Sequence, residues 1–173
     1  VGYGIDASMS FAGGKLKLGT DGHLANHDAD VFNPMSVTFR VENFNDIKRD
    51  VFGVFGEWQR ELAAAWDLEL GLRYTRVNMD AGSVSATGMM GMMAMNANAL
   101  ATTFNTSDLS QQDDNIDVVL KLNHALRKDT NIEVGFARKM RSPTYQERYL
   151  WLPLQSTGGL ADGNNYIGDI NLD

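Results

Sequence analysis

Apolar and polar residues alternate with a period of two over much of the chain, which predicts β-strands with every second side chain on the same face. Residues 66–77 show it most cleanly. There Trp66, Leu68, Leu70, Leu72 and Tyr74 alternate with Asp67, Glu69, Gly71, Arg73 and Thr75. Residues 1–11 set Val1, Tyr3, Ile5, Ala7, Met9 and Phe11 against small or polar neighbours, and residues 15–25 set Leu16, Leu18 and Leu24 against Lys17, Asp21 and His23. In residues 50–62, Phe52, Val54, Gly56 and Trp58 oppose Gly53, Glu57 and Gln59, with Phe55 out of pattern. A fifth strand, residues 115–126, opposes Ile116, Val118, Leu120 and Leu122 to Asp117, Lys121 and Asn123. The sixth carries Ile132, Val134, Phe136 and Met140 on one face. It is expected to end at Pro143, which cannot donate to a ladder and holds Ser142 extended.

The connections differ in kind. Tight turns are expected at residues 12–14, 63–65 and 127–130, the first because paired glycines supply positive φ. Residues 26–49 form a long loop, with room for a short hairpin of its own, and the uncharged residues 81–107 form a second. Everything after Pro143 is loop-like, with Gly158-Gly159, Gly163 and Asn164-Asn165 as breakers. The result is an all-β, antiparallel, up-and-down meander of about six strands. Short turns alternating with long loops are the asymmetry of outer-membrane barrels.

A soluble β-rich binding module or surface adhesin is the alternative, since a sandwich also has one apolar and one polar face. Three features favour the barrel. Strands of about 10 to 12 residues suit a tilted membrane crossing. Trp58, Trp66 and Tyr74 stand near the ends of apolar faces, as girdle residues do, and Asp67, Glu69 and Arg73 occupy the opposite face as a wet lumen requires. Arg138 shares the face of Phe136 and Met140. On a membrane strand it would snorkel or meet lipid phosphates near the outer rim, unless the strand has already ended or bulged there.

Totals narrow the function. The 173 residues are 43% hydrophobic and 21% charged, a folded composition, and the net charge of -7 argues against a nucleic-acid partner. Cysteine is absent, which removes disulfides, thiolate metal sites and a cysteine nucleophile. No apolar run is long enough for a membrane helix, which leaves barrels open. The chain starts within an apparent strand and is expected to be a fragment of a longer protein.

Candidate chemistry lies in the connections. Met89, Met90, Met92, Met93 and Met95 form a cluster of soft thioethers suited to Cu(I), or else pack as a loop tip or short helix. His23 and His27 are further metal candidates; along a continued strand they would stand roughly 13 Å apart, so a common site needs a bend after Leu24. Tyr145, Arg148, Tyr149 and Trp151 could stack on an aromatic or anionic chelate, or pack their loop. His124 is expected to be interfacial. No nucleophile turn, phosphate loop or helical His-Glu-x-x-His motif is present, so an enzyme is not expected.

Gly71-Leu72-Arg73-Tyr74, and Arg141-Ser142-Pro143-Thr144 followed by Glu147, resemble motifs of the barrel region of TonB-dependent outer-membrane receptors. Residues 166–172 look like the segment before a further strand of that family. The resemblance implies a barrel of about 22 strands with long extracellular loops, of which residues 1–173 would be an incomplete part lacking the plug domain. It implies location in the outer membrane of a Gram-negative bacterium, in contact with lipid. It also implies uptake of a small-molecule metal chelate, an iron-siderophore type complex or copper, driven by the TonB complex through the plug. No intrinsic cofactor is implied.

Overall fold

In a computed structural model, residues 1–153 and 164–173 are described. The glycines expected to break structure at 158, 159 and 163 lie outside them. The elements run β1 (Gly2–Phe11), β2 (Gly14–Asn33), β3 (Ser36–Ala63), β4 (Trp66–Asp80), β5 (Ala86–Thr87), α1 (Gly91–Asn105), β6 (Gln111–Arg127), β7 (Thr130–Arg138), α2 (Tyr145–Tyr149), β8 (Trp151–Leu152) and β9 (Tyr166–Ile167). The main sheet has the order β1-β2-β3-β4-β6-β7, with β5 paired to β3, and β8 pairs separately with β9. The fold is the expected all-β antiparallel meander.

Residues 1–24, 50–77 and 113–142 make one compact unit, and residues 25–49, 78–112 and 143–173 another. In the first, antiparallel register sets Ile5 opposite Thr20, Ala7 opposite Leu18 and Met9 opposite Leu16; at the other end, Leu120 faces Phe136 and His124 faces Ile132. Even-numbered positions of β2, β3, β4, β6 and β7 and odd positions of β1 therefore share one apolar face. That face is bare. Phe136 is 61% exposed, Val134 65%, Leu72 58% and Ile5 71%.

Aromatic contacts fix the turn ends of this unit. Trp58 donates its indole N–H to the Phe11 carbonyl at 3.0 Å. Trp66 stacks on His124 with centroids 4.0 Å apart, while His124 Nδ1 lies 3.1 Å from the Ala65 carbonyl. The turns expected around residues 13, 64 and 128 are present, with Ala12 and Gly13 both at positive φ.

The second unit departs from expectation in three places. Residues 26–49 are not a long loop: β2 and β3 continue through them and meet at a tight turn of Pro34 and Met35. Cross-strand polar pairing takes the place of apolar alternation there, with Arg40 bonded to Asp30 and the Asp46 amide donating to Asp28. Consequently short and long connections do not alternate strictly.

The uncharged residues 81–107 contain β5 and the helix α1, because alanine, methionine and leucine favour helix and no proline interrupts them. The segment after Pro143 is not all loop either, since it holds α2 and the β8–β9 pair. Nor does Pro143 end the preceding strand, which stops at Arg138 in the first unit. The Met140 amide is taken by the Asp117 carboxylate at 2.8 Å, so a side chain replaces the ladder before the proline is reached.

Within the second unit lies a conventional core of Val41, Ile47, Met79, Val84, Phe104, Tyr149 and Trp151, each at most 3% exposed. Asn105 pins α1 by accepting from the Val84 amide and donating to its carbonyl, at 2.8 and 3.0 Å.

Candidate functional site

The polar face of the first unit is a lattice of compensated charges. Arg73 grips Asp21 in a two-pronged pair at 2.5 and 2.9 Å, Lys17 faces Asp6 at 3.7 Å, and Lys121 faces Glu69 at 3.5 Å. Phe55, out of step in the sequence pattern, belongs to this face. Lys17 lies 5.5 Å from its ring centroid and Arg73 5.8 Å, so the ring is a platform for two cations. Gly19 leaves the space, since a Cβ there would enter the Phe55 ring. A polar cavity of about 340 Å³ opens among Lys17, Asp21, Glu57, Arg73, Asp117 and Lys139. With Lys17, Arg73 and Lys121 each beside a carboxylate, such a face holds water and polar groups.

The candidate metal residues are dispersed. Met90, Met92, Met93 and Met95 are 84%, 85%, 59% and 74% exposed around the start of α1, and Met89 is half-buried. The helix turns Ala97 and Phe104 inward instead. Exposed thioethers are accessible to a soft cation, but the positive end of the helix dipole beside them opposes one. His23 lies in the first unit and His27 in the second. His27 stacks flat on Tyr145 at 4.3 Å, and Phe44 meets the same ring edge-on at 5.4 Å. Among the described residues no group of three His, Asp or Glu side chains converges as a metal site.

Of the aromatic and basic candidates after Pro143, only Tyr145 is part-exposed. Arg148, 1% exposed, donates to the Leu172 carbonyl from Nη2 at 2.7 Å, and Tyr149 donates its hydroxyl to the Leu109 carbonyl at 2.9 Å. Trp151 is fully buried and its indole nitrogen has no hydrogen-bond partner among the described residues. Gly168 lies against the backbone of Glu147 and Arg148, where a Cβ would collide. These side chains hold α2, β8 and the residues around β9 together.

Asp30 accepts from Arg40 Nε at 3.1 Å and Nη2 at 2.8 Å, with Glu42 at 3.4 Å, and the bond to Asp30 followed by its charge raises the Arg40 pKa from its ordinary value.

A family model described as TonB-dependent receptor-like, beta-barrel, matches residues 2–173. The chain belongs to that family. Comparison with curated proteins and with solved structures finds no match. TonB-dependent receptors are transporters rather than enzymes, and this barrel region gives the two motifs of the resemblance a physical basis. In Gly71-Leu72-Arg73-Tyr74, Arg73 holds Asp21 on the polar face while Tyr74 donates to Asp114 at 2.6 Å. In the second motif Ser142, buried, accepts from Asn115 at 2.6 Å.

Thr144 then caps α2 and Glu147 reaches back to the Thr144 amide at 2.7 Å, which completes a capping box. The loop reading of this segment missed α2, and the spacing Thr-x-x-Glu is the signal that could have found it. Phe44, the third ring around Tyr145, had no comparable signal because its contact joins distant segments.

Proposed function

We propose that this chain is barrel wall of a receptor in the outer membrane of a Gram-negative bacterium, with its apolar face toward lipid and its polar face toward the lumen. The receptor takes up a small-molecule metal chelate with energy delivered by the TonB complex, which acts through a plug that lies outside these residues. Family membership and the exposed apolar face of β1 to β7 support this reading together. The bare face is the observation that carries it, because side chains such as Phe136, Val134 and Leu72 need an apolar medium.

The cargo is a metal complex, an iron-siderophore type chelate or copper. The Met-rich start of α1 supports copper: Met90, Met92, Met93 and Met95 expose soft thioether ligands without burying them in a core. Tyr145 supports an aromatic chelate by offering a part-exposed ring, with Arg148, Tyr149 and Trp151 holding that ring's helix in place. Titration of the full-length receptor with Cu(I), Cu(II) and ferric chelates separates these cargoes. Copper binding that weakens when all five methionines become leucine supports the copper arm; unchanged copper binding removes it. Release of the intact receptor into aqueous buffer without detergent would overturn the membrane reading itself.

A further inference from the structure

At its end remote from the short turns, the apolar face of the first unit carries a cation, Arg138, that the sheet does not neutralise, while Arg60 shares the face at the short-turn end. Register places Val118 opposite Arg138, so β7 is regular to its last residue and Arg138 shares the face of Phe136 and Val134. Two other outward charges near the same end are already matched: Arg76 bonds to Asp114 from Nε and Nη2 at 2.8 and 3.1 Å, and Tyr74 donates to the same carboxylate. For Arg138 no ion pair or hydrogen bond of its side chain occurs among the described residues. Of the carboxylates nearest in register, Asp117 has the opposite parity and accepts from Met140, and Asp114, on the face of Arg138, is already taken by Arg76 and Tyr74.

Depth follows from the same register. His124, stacked on Trp66, faces Ile132, so Arg138 stands six residues further along β7 than this aromatic clasp. At about 3.3 Å per residue and a tilt near 40°, that is roughly 15 Å along the membrane normal. An apolar band of about 25 Å puts the Arg138 backbone in the half of the bilayer remote from the short turns. The side chain is long enough to extend its head toward the headgroups while its stem lies on Phe136 and Met140.

We propose that Arg138 binds the phosphate of an anionic lipid in that leaflet, as part of a lipid contact on the outer wall of the barrel; the inference rests on the membrane reading above. A planar guanidinium presents paired donors that match a phosphate, and the flanking apolar side chains accept the acyl chains beneath it. Charge complementarity selects the occupant: at the end remote from the short turns, where Arg76 and Asp114 neutralise each other, Arg138 supplies the unmatched positive charge at headgroup reach.

The test uses the full-length receptor in nanodiscs of phosphatidylcholine with or without lipid A, and native mass spectrometry to titrate retained lipid A. Wild type should retain lipid A, Arg138→Gln should bind it roughly tenfold more weakly, and Arg138→Lys should fall between them, as a lost charge-assisted contact implies. Inorganic phosphate added in detergent should not compete at equal concentration, because the apolar seat contributes. Equal lipid A affinity in wild type and Arg138→Gln, or Arg138→Gln destabilising the barrel to the same degree in both lipid mixtures through loss of a protein partner, overturns the proposal. Failure of the membrane reading is a separate outcome, in which the receptor does not enter nanodiscs at all.

Discussion

The two compact units use hydrophobic residues in opposite ways. In residues 25–49, 78–112 and 143–173, the large apolar side chains Ile47, Met79, Phe104, Tyr149 and Trp151 are shut away from solvent, and polar groups sit on caps and hairpins. In residues 1–24, 50–77 and 113–142, apolar side chains are just as plentiful, yet Ile5, Leu72, Val134 and Phe136 are more than half exposed and Val77 is nearly alone in being buried. One unit is built for water and the other for a medium that is itself apolar. Composition does not distinguish them; the direction of the apolar face does.

Substitutions should separate the two regimes. The largest effect is expected from Trp151→Ala, which empties the centre of the water-adapted core at a cost of about 3–5 kcal/mol. Hydrogen exchange should report it as lost amide protection in α2, β8 and β9. Next, Leu70→Arg puts a charge on the bare face between Trp66 and Tyr74. In a lipid-embedded receptor this should cost about 2–4 kcal/mol in a urea titration from vesicles, whereas on a wet surface it would be nearly neutral.

Smaller effects test the local devices. Thr144→Ala removes the capping hydroxyl of α2 and should cost about 1 kcal/mol, read from the denaturation midpoint of the full-length receptor. Asp21→Asn weakens the grip on Arg73, but both side chains are about a third exposed, at 37% and 33%. Solvent screening should therefore hold the loss to about 1 kcal/mol or less, shrinking further when the midpoint is measured in high salt.

How much was legible in the sequence follows the same division. In the first unit every strand obeyed the period of two, so Trp66, Leu68, Leu70 and Leu72 announced their face directly; even Phe55 broke the pattern for a local reason, two cations beside its ring. In the second unit order comes from long-range contacts that a period cannot show. Arg40 with Asp30 turns an apparent loop into a hairpin, and Phe104 with Ala97 gives an uncharged helix an inner face. The Thr144 and Glu147 spacing of a capping box went unread, because Pro143 beside it suggested only a break. Of the candidate site, residue identities were legible and their exposure was not: Met92 proved open to solvent and Arg148 sealed within the fold.

The central claim is that the apolar face of the first unit contacts lipid. These 173 residues contain no cysteine; with any cysteine elsewhere in the receptor replaced by serine, single cysteines can be introduced along β4 and β6, spin-labelled in bilayers, and compared for collision with oxygen and with a water-soluble nickel complex. Positions 68, 70, 72, 118 and 120 should favour oxygen, and positions 67, 69, 71, 119 and 121 should favour nickel, with a period of two along each strand. Equal access of the nickel complex to both sets would contradict a lipid-facing wall.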